Sequence, residues 1–349
     1  MAASVFFITT GFALLYNYVM EPTISVCMIA KNEEKYLENC LASIAGKVNE
    51  IILVDTGSTD QTIPIANKYD VKVSQVAWQD DFSFARNHSI RQAVSDWILV
   101  LDADEIIDSE QLSKLKQTLS ADKDTVAYLV TMRNYLPADE LVPYRDHTTI
   151  RVFRNLQAIY FEGKVHESVQ PSIAHINGVI KESDVIIQHY GYAHYRVQGN
   201  KSRGERNLQL ILQVLEEQPR DAYYHYQAGI TYKHLNDLPL AKQHLRKALS
   251  YNNNTLPEIV MDEILMKLAQ IASLEKQEQA CIKYALASLE HNSDNIISKY
   301  LLALCYASMG KFAKAYPYLL EIQQSPHTKL TSQEDLLVLI KYCEQVLGK

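Results

Sequence analysis

Paired cysteines and an excess of basic residues are both absent from this sequence. The five cysteines are scattered and form no CxxC pair. This excludes a disulfide framework or a thiolate zinc site, and it is typical of reduced core thiols in a cytosolic protein. The formal charge is −7, whereas a general nucleic-acid-binding protein shows a basic face. Nucleic acid is therefore not an expected partner, although a few local donors are enough to hold a nucleoside diphosphate.

Charged residues are also absent from the N-terminal stretch Met1–Met20, which is mostly apolar. Its length is just sufficient to cross a bilayer, but no Lys or Arg precedes it and none follows before Lys31, so the usual orienting charge is missing. It also lacks the basic start of a signal peptide. Two interpretations of residues 1–22 stay open. In the first, these residues anchor the protein to a membrane, with the enzyme facing the cytoplasm. In the second, the true start is Met20, the residues before it are not part of the protein, and the protein is expected to be cytoplasmic.

A chain of 349 residues predicts two domains. In residues 23–200, short apolar runs alternate with stretches of helical spacing, which predicts an α/β domain with a doubly wound, mostly parallel sheet. Ligands of such sheets sit at the carboxyl ends of the strands. The predicted strands are Ile24–Ile29, Glu50–Val54, Trp97–Leu101, Val126–Met132, Thr149–Phe153 and Val185–Gln188, and the predicted helices are Glu34–Ile44, Asp60–Tyr69 and Phe84–Val94.

Residues 201–349 have helical spacing almost throughout, and small and bulky residues recur in them at similar offsets. The frame advances by close to the ~34 residues of a tetratricopeptide unit, in which small residues let paired helices approach. This pattern predicts an all-α, tetratricopeptide-like repeat domain, with an irregular helical bundle as the alternative. The recurring positions are Gly229, Tyr232, Ala241, Leu245 and Ala248, then Leu268, Ile271, Ala280, Tyr284 and Ala287, then Ala303, Tyr306, Ala315 and Leu319.

The strongest chemical signal is the segment Asp102-Ala103-Asp104, directly after the apolar strand Trp97–Leu101. Two carboxylates at i and i+2 on a strand end are suited to share a divalent cation and a ribose. A sugar diphosphate is itself negative, so an oxygen-preferring ion such as Mg²⁺ or Mn²⁺ is needed between it and the protein. In isolation, such acidic pairs are more often solvated turns, so the context decides.

The two preceding strand ends supply that context. The second strand ends in Val54-Asp55-Thr56-Gly57-Ser58-Thr59-Asp60, where Asp55 is placed to accept from a nucleobase and Gly57 permits a tight turn. Ser58, Thr59 and Asp60 are interpreted as helix caps. The first strand leads into Ala30-Lys31-Asn32-Glu33-Glu34, which also resembles a helix start with acidic residues at its positive end. Three polar clusters on the same edge of one sheet predict one ligand site.

These segments resemble the successive motifs of glycosyltransferase family 2, which has the GT-A fold. The matching motifs are SVCMIAKNEEKYLENCLASI, EIILVDTGSTDQT, WQDDFSFARNHSI and WILVLDADE. The later FEGKVHESV and IIQHYGY resemble a branch that includes lipopolysaccharide-core glucosyltransferases. The appended repeats resemble members such as the sublancin-type peptide S-glycosyltransferases. The resemblance covers residues 23–200 well and the tail loosely.

The resemblance implies roles at the matching positions. A nucleotide-sugar pocket would be lined by Ala30, Asn32, Glu33, Asp55, Arg86, Asp102 and Gly163, with Asp55 on the base, Arg86 facing the nucleotide or its phosphates and Gly163 approaching the sugar closely. The cation would be held by Asp102, Asp104 and His189, and Glu167 would be the general base. The sequence has His-Glu where other branches have an acidic pair, so His166 is the rival for the base.

Several side chains keep two interpretations. His189 is either a metal ligand or a structural hydrogen-bonding residue. Lys201, Arg203 and Arg206 either close over the diphosphate or form a solvated first helix turn. His147, His175 and His194 are interpreted as structural.

Taken together, these features predict an enzyme that transfers a sugar from a nucleotide-diphosphate sugar, with a UDP-linked donor expected, to a peptide or protein, by a metal-dependent inverting mechanism. The repeats would bind the acceptor and do no chemistry, because such stacked helices present a long concave surface. One alternative acceptor is a lipid-linked, lipopolysaccharide-core or other envelope glycan. An alternative of another class is a non-catalytic repeat scaffold, against which the intact Asp55, Asp102, Asp104 and Glu167 argue.

Overall fold

The computed structural model of the chain describes residues 21–121, 124–135, 144–191, 200–325 and 333–348. The predicted N-terminal extension lies outside these ranges except for its last two residues. Within them, no helix combines the length and the apolar composition that a membrane crossing requires.

An eight-stranded mixed sheet forms the first domain, with the strand order β3-β2-β1-β4-β7-β6-β8-β5. The parallel half is β3-β2-β1-β4, while β7 runs antiparallel to both β4 and β6, and β5 runs antiparallel to β8. The strands are β1 Ile24–Ala30, β2 Glu50–Asp55, β3 Lys72–Gln75, β4 Trp97–Val100, β5 Glu105–Ile106, β6 Thr125–Tyr135, β7 Tyr144–Arg154 and β8 Val179–His189.

Helices cover both faces of this sheet, as its buried strands require. One apolar layer joins one face of β1, β2 and β4 to α1, α2 and α4, and the other layer joins the opposite face to α3 and α5. The alternation along β1 shows this, since Val26 and Met28 belong to the first layer and Cys27 to the second. The helices are α1 Leu37–Ile44, α2 Thr62–Ala66, α3 Phe82–Ile90, α4 Ser109–Ala121 and α5 Gln170–His175.

The predicted strands and helices are confirmed, with shifted ends. The second predicted helix, Asp60–Tyr69, is the most shortened, to Thr62–Ala66. The Asp60 carboxylate accepts from the backbone N–H of Thr62 at the start of this helix, as a capping residue does, and also from that of Glu34. Ser58 and Thr59 instead hydrogen-bond to Asn32.

The second domain is a series of antiparallel helices, as predicted. Buried small residues bring the paired helices together, and Gly229 shows how closely, because a Cβ at this position would meet Leu245 at 2.6 Å. The helices are α6 Asn200–Glu217, α7 Ala222–His234, α8 Leu238–Tyr251, α9 Glu258–Leu274, α10 Glu278–His291, α11 Ile296–Ser308, α12 Phe312–Gln324 and α13 Gln333–Leu347.

The predicted repeat frame is correct in the first and third pairs and off by one residue in the middle pair. The buried residues of α10 are Cys281, Ala285 and Ser288, whereas Ala280, Tyr284 and Ala287 are only partly buried. The equivalent buried residues Ala241, Cys281 and Ala315 are 40 and 34 positions apart, so the repeat length is not constant along the domain.

Candidate active site

A cavity of about 540 Å³ opens at the carboxyl ends of β1, β2 and β4. It is the site that the three polar strand ends predict. Predicted site residues in its wall are Ala30, Asn32, Glu33, Arg86, Asp102, Asp104, His166, Glu167 and His189, and further wall residues include Thr56, Trp78, Phe82, Arg206 and Asn207.

Asn32 connects the turns after β1 and β2 by hydrogen bonds. This residue has a left-handed backbone (φ 57°), a conformation that Asn tolerates better than most residues. Its side-chain oxygen accepts from the N–H of Thr59 at 2.8 Å, and its own N–H donates to the hydroxyl of Ser58 at 2.9 Å. The amide of Asn32 therefore shapes the pocket, and its backbone forms part of the wall.

Asp55 is fully buried at the end of β2. Its carboxylate accepts from the backbone N–H groups of Gly57 and Ser58, each at 3.0 Å from Oδ2. The cavity wall at this strand end is formed by the next residue, Thr56. In this structure Asp55 holds the turn that supports the pocket.

One guanidinium joins the two halves of the site. Arg86 lies on α3 and is 7% exposed; its Nη2 donates to Asp102 Oδ1 at 2.7 Å and its Nε to Glu167 Oε1 at 2.8 Å. Its third nitrogen, Nη1, is buried and has no hydrogen-bond partner among the described residues. Arg86 thus links the carboxylate predicted to bind the donor to the carboxylate predicted to be the base.

A second arginine completes the charge cluster. Arg151 on β7 donates from Nη2 to Asp102 Oδ2 at 3.0 Å and to Glu105 Oε1 at 2.6 Å. Burial raises the pKa of the Asp102 carboxyl, but the charges of Arg86 and Arg151 outweigh this effect and hold the pKa well below its usual range. Burial raises the pKa of the Glu105 carboxyl, and the charge of Arg151 opposes part of that rise.

Pairing of β5 with β8 brings His189 to the acidic segment. Glu105 is opposite His189 in this short antiparallel ladder, and His189 Nε2 lies 3.4 Å from Asp104 Oδ2. Burial opposes the charge of the imidazole, but Asp104 and the neighbouring carboxylates hold the pKa of His189 above its ordinary value. The two residues predicted as metal ligands from segments 85 positions apart are therefore adjacent.

The described residues contain no cluster of three or more His, Cys, Asp or Glu side chains that would hold a metal ion by themselves. Asp104 and His189 nevertheless suit a cation that the substrate helps to bind, because Mg²⁺ sites commonly combine one or two carboxylates with substrate phosphates. Asp102 is not placed as a third ligand here, since each of its oxygens accepts from an arginine.

A loop after β7 places His166 and Glu167 in the wall of the cavity. The backbone of Glu162 pairs with that of Ser168 at the base of this loop, and His166 has a left-handed backbone (φ 56°). Burial lowers the pKa of the His166 imidazole. Gly163 (φ 100°) does not line the cavity; a Cβ there would lie 3.2 Å from the hydroxyl of Tyr224, so the close approach is to the repeat domain.

The first helices of the repeat domain contact this loop and reach the cavity. Val165 packs in one apolar cluster with Leu210, Ile211, Leu215 and Ala228, and Lys164 forms an ion pair with Glu217 at 2.9 Å.

Arg206 lines the cavity, and its guanidinium lies 5.2 Å from the centre of the Phe82 ring. Arg206 is also exposed, so its position is compatible with both interpretations, a role at the ligand and a solvated helix turn. The side chains of Lys201 and Arg203 and all of His194 lie outside the described residues.

Sequence reasoning missed four side chains of the site: Glu105, Arg151, Trp78 and Phe82. Glu105 follows the acidic pair directly and so had a visible signal, whereas Arg151 is one of three arginines in β7 and no pattern singles it out. Trp78 and Phe82 contact each other edge to face at 4.8 Å. They were hidden because Trp78 lies in a loop and Phe82, the first residue of α3, precedes the predicted helix Phe84–Val94, so neither belongs to a periodic pattern.

Residues 25–177 match the family described as "Glycosyl transferase family 2". A TPR repeat-containing protein of Synechococcus elongatus is 33% identical over 84% of this chain and 73% of its own length. The chain belongs to glycosyltransferase family 2. It is a family 2 transferase with a tetratricopeptide-like helical domain.

Two further relatives of this family 2 chain carry transferase names. The SPbeta prophage-derived glycosyltransferase SunS of Bacillus subtilis is 29% identical over 66% of this chain and 54% of its own length. The lipopolysaccharide core biosynthesis glycosyltransferase LpsC of Rhizobium meliloti is 29% identical over 42% of this chain and 57% of its own length. The chain thus spans about half the length of these two relatives.

Among solved structures, S. aureus TarS 1-349 in complex with UDP-GlcNAc aligns over 86% of this chain and 90% of its own, with 17% identity and a TM-score of 0.40.

Proposed function

We propose that this family 2 transferase moves a sugar from a UDP-linked donor to a peptide or protein, with inversion at the anomeric carbon and with help from Mg²⁺ or Mn²⁺. The observation that carries the proposal is the bridge made by Arg86. It joins Asp102 to Glu167 across one cavity, so that a donor-binding carboxylate and a base share the same space.

Each end of the cavity has the chemistry for one partner of the reaction. Asp104 and His189 would hold the cation, which when bound offsets the charge that develops on the departing diphosphate. Arg86 Nη1 is a buried donor to which the part of the chain that the structure describes offers no acceptor, so it would donate to a phosphate oxygen. Asp55 would act indirectly, because it holds the turn beside Thr56, where the cavity wall would contact the nucleobase.

Glu167 is proposed as the general base. The acceptor nucleophile attacks the anomeric carbon on the face opposite the diphosphate and forms the new glycosidic bond. The bond from that carbon to the phosphate oxygen breaks, its electron pair leaves with the diphosphate, and the proton of the nucleophile passes to Glu167. His166 lies beside it, with an imidazole pKa that burial lowers; it would orient the acceptor, and it remains the alternative base.

The repeat domain favours an extended polypeptide as the acceptor, because stacked helix pairs offer a concave surface of the required length. The similarity to the lipopolysaccharide core transferase of Rhizobium meliloti favours a glycan acceptor instead. A scaffold without activity fits less well, since it would not need Asp102, Asp104 and Glu167, which line one cavity.

A donor screen tests the proposal. The purified chain would be incubated with Mn²⁺ and a panel of UDP-, GDP- and dTDP-sugars, and release of the nucleotide would be measured with and without EDTA. We expect hydrolysis of one UDP-sugar that EDTA abolishes, and transfer to peptides once the donor is known. Hydrolysis that is insensitive to EDTA would overturn the metal dependence, and transfer to lipid-linked glycan alone would overturn the peptide acceptor.

A further inference from the structure

A buried amide stands behind the predicted metal ligand His189. Asn134 lies on β6, is 8% exposed and is next to His189 in the parallel pairing of β6 with β8. Its Oδ1 is 2.8 Å from His189 Nδ1. The nitrogen on the other side of the ring, Nε2, faces Asp104.

The surroundings of Asn134 determine which way its amide points. Its Nδ2 is 3.4 Å from the carbonyl oxygen of Met132, which can only accept a hydrogen bond. The same Nδ2 is 2.8 Å from His147 Nδ1. The opposite orientation would place an oxygen against the Met132 carbonyl, so Oδ1 must face His189.

This orientation determines the proton position on His189. An amide oxygen accepts but never donates, so Nδ1 of His189 carries a hydrogen. In the neutral ring the lone pair is then on Nε2, the nitrogen beside Asp104. Metal-binding histidines are commonly held in this way by a hydrogen bond to the other ring nitrogen, and loss of that partner typically weakens metal binding 10–100-fold.

We propose that Asn134, supported by His147, is a positioning residue that holds the ring and the tautomer of His189 for a divalent cation. The proposal rests on the metal dependence proposed above. His147 contributes by accepting from Asn134 Nδ2, which fixes the amide. The interpretation of His147 as a merely structural histidine is thereby refined, since its hydrogen bond is directed to the support of the site.

The test measures Mn²⁺ affinity by titration calorimetry with UDP present, together with electron spin-echo modulation of the bound Mn²⁺, which detects a coordinated imidazole nitrogen. For Asn134→Leu, which removes the acceptor, we expect about 10–100-fold weaker binding and loss of the nitrogen signal. Asn134→Asp keeps an acceptor for His189 Nδ1 and should restore both. Met132→Leu, a buried change on the same strand, is the matched control and should leave both unchanged.

The outcomes separate this proposal from the proposed function. Unchanged affinity and an intact nitrogen signal in Asn134→Leu would overturn the role of Asn134. If Mn²⁺ binding is absent in the wild-type chain, or survives intact in Asp104→Asn, the metal site itself is wrong and both proposals fall. Asn134→Ala carries the same expectation as Asn134→Leu and replaces it if the leucine variant does not fold.

Discussion

The two domains bury polar groups in opposite ways. At the strand ends of the transferase domain, Arg86 and Arg151 are surrounded by the carboxylates of Asp102, Glu105 and Glu167. In the repeat domain the buried carboxylate of Asp262 accepts only from neutral groups, which are the hydroxyl of Ser288 and the amides of Asn292 and Asn295.

The difference separates packing from function. Around Asp262, neutral donors satisfy a buried carboxylate and fix how the helices pack. Buried charges are costly to keep, and clusters of them with displaced pKa values concentrate at functional sites. The cluster of the transferase domain faces a cavity and includes a guanidinium nitrogen that has no hydrogen-bond partner among the described residues, so it has the chemistry to meet a charged ligand.

The largest effect is expected for Asp104→Asn. The variant loses one of the two proposed cation ligands, Asp104 and His189. This should cost about 5 kcal/mol of transition-state stabilisation, or roughly 10⁴-fold in kcat/KM, and should abolish Mn²⁺-dependent binding of UDP. Asp70→Asn, an exposed carboxylate change in the same domain, serves as the control. Equal activity of the two variants would remove the distinction between the charge cluster and ordinary surface acids.

Glu167→Gln should lower kcat by roughly 10²–10³-fold, because a base acts in the chemical step. The KM for the donor should change little, since glutamine still accepts from Arg86 Nε. His166→Gln in parallel decides between the two candidates for the base. If the histidine variant is the more damaged one, the roles of the two residues must be exchanged.

A smaller effect, about tenfold, is expected at the contact between the domains. Tyr223 is 37% exposed on α7, and Tyr223→Ala should raise only the KM for a peptide acceptor. Tyr226 is a poorer choice for this test, because it is buried and its hydroxyl donates to Glu263 at 2.6 Å.

Arg206→Ala should instead impair donor hydrolysis itself, since Arg206 lines the donor cavity. Donor hydrolysis and the KM for the acceptor, measured for both Arg206→Ala and Tyr223→Ala, show where the catalytic part of the chain ends. Normal donor hydrolysis by Arg206→Ala would restore the stricter division in which the repeats serve the acceptor alone.

The smallest effect concerns the neutral pair His225 and His244 in the repeat domain. Their Nδ1 atoms are 3.1 Å apart, and His225 Nε2 donates to the carbonyl of Pro219, an arrangement that excludes protonation of both rings at once. Burial lowers the pKa of His244 to about 4, and it lowers the pKa of His225 as well.

Because the folded pKa of His244 lies below the unfolded value near 6.5, the unfolded chain binds more protons between these limits. The stability of the repeat domain should therefore fall as the pH drops from about 6.5 to about 4, by at most roughly 3 kcal/mol for this group. His244→Phe should flatten that dependence in thermal melts at pH 7, 6 and 5. An equal slope in both proteins would show that the pair does not titrate in this way.

Much of the transferase domain was predictable from local patterns. Short apolar runs such as Ile24–Ile29 and Trp97–Leu101 are typical of buried strands. Polar residues that follow parallel strands meet at the same edge of the sheet. This logic placed Asp102, Asp104 and the turn at Asn32 in one site. It also separated the repeat domain, where small residues at helical spacing require closely paired helices.

Only the tertiary structure decided how the charges are shared. The sequence places Arg86, Arg151, Glu167 and His189 far from one another, and no spacing rule predicts that one guanidinium bridges Asp102 and Glu167. The pairing of β5 with β8 sets His189 against Asp104, and Asn134 comes to stand behind it through the neighbouring strand. Periodicity reports which face of an element is buried, whereas the contacts made by a buried charge depend on which strands and helices become neighbours.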